Sequence, residues 1–522
     1  MFWKSQADSI EKGALVISGA AVIGSILGIL KNTLLAARFG ASRDLDIYFA
    51  AFRVPDFLYG ILVFSSLSSS FMPIFSRAIK NGKDDVWSLV SAVFSVFSVF
   101  FGIFALLVFL FSDKLAYLIA PGFSFDDSER LSLMLRILMI QPIFLSVSNL
   151  FSVTLQGFKK FFVSSLAPVF YNLGVIVGVL WLSNFWGING VAWGVVLGAL
   201  LHLLVQLPGM RAVGFKPNFN RDSFSHLKEV FLLMVPRSMT IFANNMILFW
   251  ITFVSSLLSP GSLGIFNLAD SLQSLPLTVG VMSLVTAAFP FISQKWADFE
   301  ADRTEEKKQD FVATFDKVFS EIIFLMIPVA FALSVFSREL VGLLFGYGNF
   351  ISQDQILTSL TVTAFAVFLP FQAVRMFLVR AFFATANTRD PFLSTLVSAF
   401  VFEIPLIWFF SKMLGVPGIA LGMSLGFLVD ALILLFVFKK RIGISSLPKS
   451  IKGLVSGLRW GILIALPVLA VNFAYYYIPF LRSFGFWPLL VLKAFLALAS
   501  LAAGIFWKYL RLSDFKVFLK ND

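Results

Sequence analysis

The chain has 522 residues, of which 58% are hydrophobic and only 13% charged. A soluble domain is roughly one quarter charged, and no soluble core could hide this much apolar surface, so lipid must solvate much of the chain. The formal charge of +12 would suggest nucleic acid in a soluble protein, but the basic residues sit in short loops between apolar stretches. That pattern points to membrane topology and anionic lipid, with no nucleic-acid partner.

A membrane-spanning helix needs about 20 mostly apolar residues, and helices are the default because lipid satisfies no open backbone group. The pattern predicts an all-α integral membrane protein of about 14 transmembrane helices. In chain order they lie near 13–37, 46–76, 86–112, 131–156, 161–183, 187–209, 229–258, 262–293, 315–337, 354–384, 391–411, 415–438, 453–477 and 485–507. The first stretch is too long for the apolar core of a signal peptide and reads as a membrane helix. The segment Leu115–Phe125, with Pro121-Gly122, reads as a short interfacial piece before the fourth span. Cysteine is absent, which leaves no disulfide, thiol nucleophile or Cys-ligated metal. His202 and His226 form no HExxH pattern, so no metal or other cofactor is expected.

Loop charge sets the orientation. The even-numbered loops carry Arg77, Lys80 and Lys83; Lys159 and Lys160; Arg211, Lys216, Arg221 and Lys228; Lys295, Arg303, Lys307 and Lys308; Arg389; and Lys439, Lys440, Arg441, Lys449 and Lys452. The odd loops carry far fewer, which predicts that even loops and both termini are cytoplasmic.

The chain also repeats itself. Gly187, Gly190, Ala192, Gly194, Leu197 and Gly198 at the start of span six recur as Gly415, Gly418, Ala420, Gly422, Leu425 and Gly426 at the start of span twelve, 228 residues later. A second echo pairs Met72-Pro73 with Phe289-Pro290 near the ends of spans two and eight. Small-residue spacing explains close helix packing, but not the same register at the same place in each half. The expected organisation is a six-helix lobe over 1–213, a pseudo-symmetric six-helix lobe over 214–442, and two extra helices with a tail over 443–522. An even number of spans per lobe makes this a parallel repeat, a transporter plan.

Ionisable groups deep in a membrane tend to face a cavity or a partner, because each costs roughly 2.5–3.5 kcal/mol at the bilayer centre. Lys31 and Asn32 in span one, Arg53 in span two, Arg237 in span seven, Asp270 in span eight and Arg375 in span ten are the candidate substrate contacts. Arg53 could instead pair with Asp56, and Arg237 and Arg375 each with Asp270 or Glu403. Gly28 and Pro55 are candidate hinges. Asn244, Asn245 and Asp430 are candidates for coupling to Na+ or H+. His202 holds the repeat position matching Asp430 and reads more simply as a packing group. If the four basic residues converge, the cavity suits an anionic, phosphate-bearing ligand. No GxxxxGK[ST] loop is present, so no ATPase is expected.

Several motifs resemble one family. Leu27-Gly28, Lys31-Asn32, Phe39-Gly40, Asp46, Phe49, Ala51-Phe52, Pro55, Phe71 and Pro73, then Ala167-Pro168, Asn172, Gln206-Leu207-Pro208, Ala269-Asp270, Leu275-Pro276 and Pro290, and finally Arg380-Ala381-Phe382-Phe383 with Thr388-Arg389-Asp390-Pro391, are similar in order and spacing to the MurJ (MviN) lipid II flippases. The resemblance implies the multidrug/oligosaccharidyl-lipid/polysaccharide exporter fold, alternating access and no bond-making chemistry. It implies an undecaprenyl-pyrophosphate-linked substrate, a groove at spans 13 and 14 for its polyprenyl tail, an inner-membrane location and contact with cell-wall synthesis proteins. The chain departs from the family at Lys31-Asn32, Asp56-Phe-Leu-Tyr59-Gly60, Phe64-Ser65 and Ser271, where acidic or arginine residues are usual. Those departures motivate one alternative, a flippase for another pyrophosphate-linked glycan; a cation-coupled drug exporter, against which the basic residues argue, and a scaffold docking partners on Gln294–Lys308 are the others.

Overall fold

The computed structural model describes residues 10–60, 67–218, 242–442, 448–477 and 485–510. Among them there are helices and no strand, and twelve helices are long and apolar enough to cross a membrane. A shorter apolar helix, Phe242–Ser256, covers the described end of span seven. Span two is broken into Arg43–Ala51, Arg53–Tyr59 and Leu67–Asn81. These two spans account for the difference from about 14 expected. Many large apolar side chains remain exposed, Leu110 at 62% and Trp181 at 70% among them. In water such a surface would aggregate; in lipid it is the solvated face.

Boundaries differ from expectation in two places: between spans eight and nine only Arg303 and Thr304 interrupt the helices, and before span four the break falls later. The helix Lys83–Ile119 runs straight through Leu115, and only Ala120–Ser124 is irregular. The breaker is Pro121-Gly122, and nothing N-terminal to it interrupts the helix. Gly122 is required by a close approach: a Cβ there would lie 2.2 Å from the carbonyl oxygen of Ser256.

The chain packs as two compact units, Met1–Asn267 with Leu344–Asp354, and Leu268–Leu343 with Gln355–Asp522. The division falls inside the helix Ser262–Pro276. Residues 214–267, with span seven, and a strip before span ten therefore belong with the first unit and not with the lobe expected over 214–442.

Each unit is built round an aromatic core. In the first, Phe75 and Trp87 pack on Phe158, and Trp87 and Phe151 on Phe215. In the second, Phe315 stacks on Phe438 at 4.6 Å and packs on Phe377. Burying such rings adds about 0.5–1.5 kcal/mol per pair beyond area alone.

The internal repeat is visible residue by residue. Gly187 and Gly415 share one backbone conformation, φ 54° and ψ −135° against φ 65° and ψ −135°. Only glycine adopts this region without strain. The glycines that follow do matching work in their own units. A Cβ on Gly190 would lie 2.2 Å from the oxygen of Leu182, and one on Gly418 2.0 Å from that of Phe410. Gly194 backs onto Gly178, and Gly422 onto Ile407. Each hairpin is thus sealed by backbone contact between its two helices.

The extra helices, Pro448–Tyr477 and Phe486–Leu510, belong to the second unit. Gly453, Gly457 and Gly461 recur at four-residue spacing against Ser320, Ile327 and Phe331 of the helix Glu305–Val335. Ile464, Val468 and Ala497 form a small core with Val335 and Phe336. Lys493 donates to Glu339 in a buried ion pair.

Candidate functional site

Proline sets the geometry of span two. Residue 55 would donate its N–H to Ala51 in an unbroken helix, but proline has none and its ring crowds that carbonyl. The helix accordingly stops at Ala51, turns at Phe52 and restarts at Arg53. The break swings Arg53 into the interior, where it is 8% exposed. Its Nε donates to Thr252 Oγ1 at 2.7 Å and its terminal nitrogen to Asn267 Oδ1 at 3.3 Å. Arg53 therefore ties the broken span to Phe242–Ser256 and Ser262–Pro276, and it is also drawn to Asp56.

Lys31 is half-buried in the unbroken helix Ile10–Phe39, in electrostatic reach of Asp56. No ion pair of 4 Å or less joins them among the described residues. Asn32 is half-buried beside Lys31. The phenols of Tyr48, Tyr59 and Tyr171 are also close enough to feel the Asp56 charge. Asn149 donates to the Tyr59 hydroxyl, and Gln141 Nε2 to the Tyr171 hydroxyl at 3.3 Å. Polar groups from five helices thus surround one point of the first unit. Sequence reasoning found Lys31 and Arg53 by their charge. It missed the tyrosines and amides, because such residues are ordinary in membrane helices and only the fold gathers them.

Asn244 and Asn245 lie half-buried on Phe242–Ser256, also in the first unit. Gly28 lies within the continuous first helix, and a Cβ there would meet open space. Arg237 lies outside the described residues.

One end of the first unit is fastened together. Buried Asp46 accepts hydrogen bonds from the backbone N–H groups of Gly261, at 2.7 Å, and Gly264, at 2.9 Å, as a carboxylate does at a helix N-terminus. Gly122 N donates to Ser256 Oγ at 3.1 Å, Asn349 N to the oxygen of Ala37 at 2.8 Å, and Ala41 N to Asp354 at 3.3 Å. Arg43 adds an ion pair to Asp127 and lies over the ring of Phe123.

The second unit holds the other charged cluster. Arg375 Nε donates to Asp430 Oδ2 at 2.5 Å, and its guanidinium lies 5.2 Å from the ring centre of Phe427. Asp430 also accepts from Ser394 and, at 3.3 Å, from Thr395. Glu403 is 3% exposed, interacts electrostatically with both Arg375 and Asp430, and keeps Oε1 without a hydrogen-bond donor. It ends a π-helical turn, Ser398–Glu403, and its side chain lies on Gly426. Of the partners weighed from the sequence for Arg375, Glu403 is near, while the contact itself is with Asp430. Asp270 instead accepts from Gln273 Nε2 at 2.8 Å.

The repeat makes this cluster more informative. The same crossing in the first unit is neutral: Ser148 Oγ meets His202 Nδ1 at 2.6 Å, and Gln206 Nε2 donates to the oxygens of Ser148 and His202. His202 is buried and engaged in these hydrogen bonds. Where the second unit has Glu403, the position 228 residues earlier is Val175, which is buried. Two carboxylates against one guanidinium exceed what helix packing needs.

A cavity of about 1120 Å³ lies in the second unit between Met282–Asp302, Glu305–Val335 and Pro448–Tyr477. Leu284, Ala288, Phe291, Phe324 and Gly453 line it, and the Lys295–Asp310 ion pair, at 2.9 Å, borders it.

Known proteins share this architecture. The family model described as lipid II flippase MurJ matches residues 35–494. A probable lipid II flippase MurJ of Thermotoga maritima is 30% identical over 456 residues, covering 86% of this chain and 90% of the relative. The lipid II flippase MurJ of Burkholderia cenocepacia is 25% identical over 452 residues, covering 83% and 84%. Among solved structures, a lipid II flippase MurJ in an inward closed conformation superimposes with a TM-score of 0.76 at 24% identity, over 95% of this chain and 99% of the other. An inward-facing multidrug transporter of the MATE family gives 0.64 at 15% identity, over 84% and 99%. These two likenesses establish the fold. The protein is a multi-pass, all-α membrane protein, and with the family match running from residue 35 to 494, the chain belongs to the lipid II flippase MurJ family.

Proposed function

We propose that this chain moves lipid II, the undecaprenyl-pyrophosphate-linked peptidoglycan precursor, from the inner to the outer leaflet of the bacterial inner membrane. The observation that carries the reading is the family match over almost the whole chain, with a half-buried Lys31 held inside the first unit. The protein does so by alternating access and makes or breaks no bond. Loop charge supports cytoplasmic termini, which puts Asp46, Gly122, Gly261 and Asn349 on the outer side. Their hydrogen bonds form the closed outer gate, and transport requires them to break and re-form.

Lys31 and Asn32 contact the pyrophosphate end of the cargo, while Arg53 shapes the site by holding span two in place. The apolar cavity beside Pro448–Tyr477 accepts part of the polyprenyl tail. The Arg375–Asp430–Glu403 cluster takes the coupling ion, H+ or Na+, because one carboxylate is in excess of the guanidinium. Cell-wall synthesis proteins would meet the chain at its solvated segments, including Gln294–Lys308, which is helical except at Arg303 and Thr304.

The test is headgroup translocation in liposomes containing the purified protein, with lipid II and a peptide-free pyrophosphate-linked glycan as cargoes. Lipid II should move, and Lys31→Ala should slow it about tenfold or more, the scale of one charge-assisted phosphate contact. Movement of the peptide-free glycan alone would transfer the assignment to polysaccharide export. Movement of neither would reject flipping.

A further inference from the structure

Asp56 combines two properties that rarely coexist. Its surface is exposed, yet it lies within a membrane span, and the charges of Lys31 and Arg53 and the phenols of Tyr48, Tyr59 and Tyr171 act on it. A carboxylate exposed amid polar groups from neighbouring helices faces an internal chamber, since facing lipid would leave its charge unsolvated.

The hydrogen bonds of that chamber indicate what it can hold. The Tyr59 hydroxyl accepts from Asn149 and the Tyr171 hydroxyl from Gln141, so each keeps its own proton to donate. Asn149 Nδ2 is anchored to the oxygen of Leu145 at 2.8 Å, and Asn172 holds the first helix through the oxygen of Gly24 at 3.2 Å. Gln141 is 5% exposed, and its Oε1 has no donor. The chamber therefore offers hydroxyl and ammonium donors from Tyr59, Tyr171 and Lys31. Its exposed acceptor is the Asp56 carboxylate. Arg53 is already engaged with Thr252 and Asn267.

Lys31 alone would suit an anion. Adding an exposed carboxylate beside it weakens a purely phosphate site, and a counter-ion to Lys31 would be more effective in direct contact. The separation of the two charges fits a ligand that is itself zwitterionic, with an anionic group towards Lys31 and a cation towards Asp56. We propose that Asp56, framed by Tyr59, Tyr171 and Gln141, is a specificity site for a primary ammonium on the lipid-linked headgroup. Amide or hydroxyl groups next to that ammonium bind the tyrosines, and Gln141 orients Tyr171. The inference rests on the flippase reading and adds the headgroup feature that the first unit selects.

The experiment uses the full-length protein in liposomes and two cargoes. One is lipid II bearing a free side-chain amine on its peptide; the other is the same lipid with that amine acetylated. The wild type should move the amine form roughly tenfold faster, as expected for one charge-assisted contact. In Asp56→Asn the ratio of the two rates should fall towards one, and Asp56→Glu should restore it in part. Equal rates for both cargoes in the wild type would overturn the proposal. So would an Asp56→Asn variant that slows both cargoes equally, which would make Asp56 only a counter-ion of Lys31. Failure of both cargoes to move in the wild type would overturn the flippase reading itself, and the specificity site with it.

Discussion

Arg53 earns its place through geometry more than charge. A guanidinium spans Thr252 and Asn267 at once, from a helix start set by Pro55. Lysine keeps the charge but has no fork. Arg53→Lys should therefore cost about 1–2 kcal/mol, the scale of one or two interhelical hydrogen bonds in a membrane protein. A lowered melting temperature in detergent would show it; an unchanged one would mean that charge alone suffices. Glu403 poses the opposite case. Its replacement by glutamine preserves shape and removes the ionisable carboxyl group beside Arg375 and Asp430. If the coupling ion binds there, Glu403→Gln should retain stability and lose the response of transport to an imposed H+ or Na+ gradient. A variant that still responds in full would place coupling elsewhere. Both residues stand out in the sequence as intramembrane charges, but their partners do not. Thr252, Asn267, Ser394 and Thr395 are common in membrane helices, and only the fold selects them.

Glycine separates two roles at the level of the helix. Gly194 has no room, since a Cβ would lie 2.4 Å from the Cα of Gly178, whereas a Cβ on Gly28 meets nothing. Gly194→Ala should destabilise by about 1–3 kcal/mol, the usual cost of overpacking. Gly28→Ala should be neutral or stabilising by up to about 1 kcal/mol, because alanine favours helix. If the first helix bends during transport, Gly28→Ala should also slow translocation while melting no earlier; an unchanged rate would remove Gly28 as a hinge. The packing glycines were legible in the sequence, because their spacing repeats in register in the two halves. The break at Phe52 was legible too, through Pro55. The continuation of Lys83–Ile119 was missed because the apolar run after residue 112 contains Asp113 and Lys114, which read as a loop although neither stops a helix.

Alternating access must be carried by parts that form and break contacts at the level of the whole molecule. The duplicated sequence suggests a boundary near residue 213, whereas the first compact unit takes in two further pieces, 214–267 and 344–354. Hydropathy and repeats trace helices and duplication, but they carry no information about which loops bind one another. The Asp46 hydrogen bonds to Gly261 and Gly264 illustrate this, because their donors are backbone groups available in any sequence. The gate reading is therefore the claim that most needs a direct test. The chain contains no cysteine, so an introduced pair is free of background. A Cβ built on Gly264 lies 3.4 Å from that of Leu45, close to the span of a disulfide. The decisive measurement is lipid II translocation by Leu45→Cys/Gly264→Cys in liposomes, oxidised and then reduced. The account predicts that oxidation stops translocation and reduction restores it, because the gate must open once per cycle. Undiminished translocation by the fully oxidised protein would contradict it.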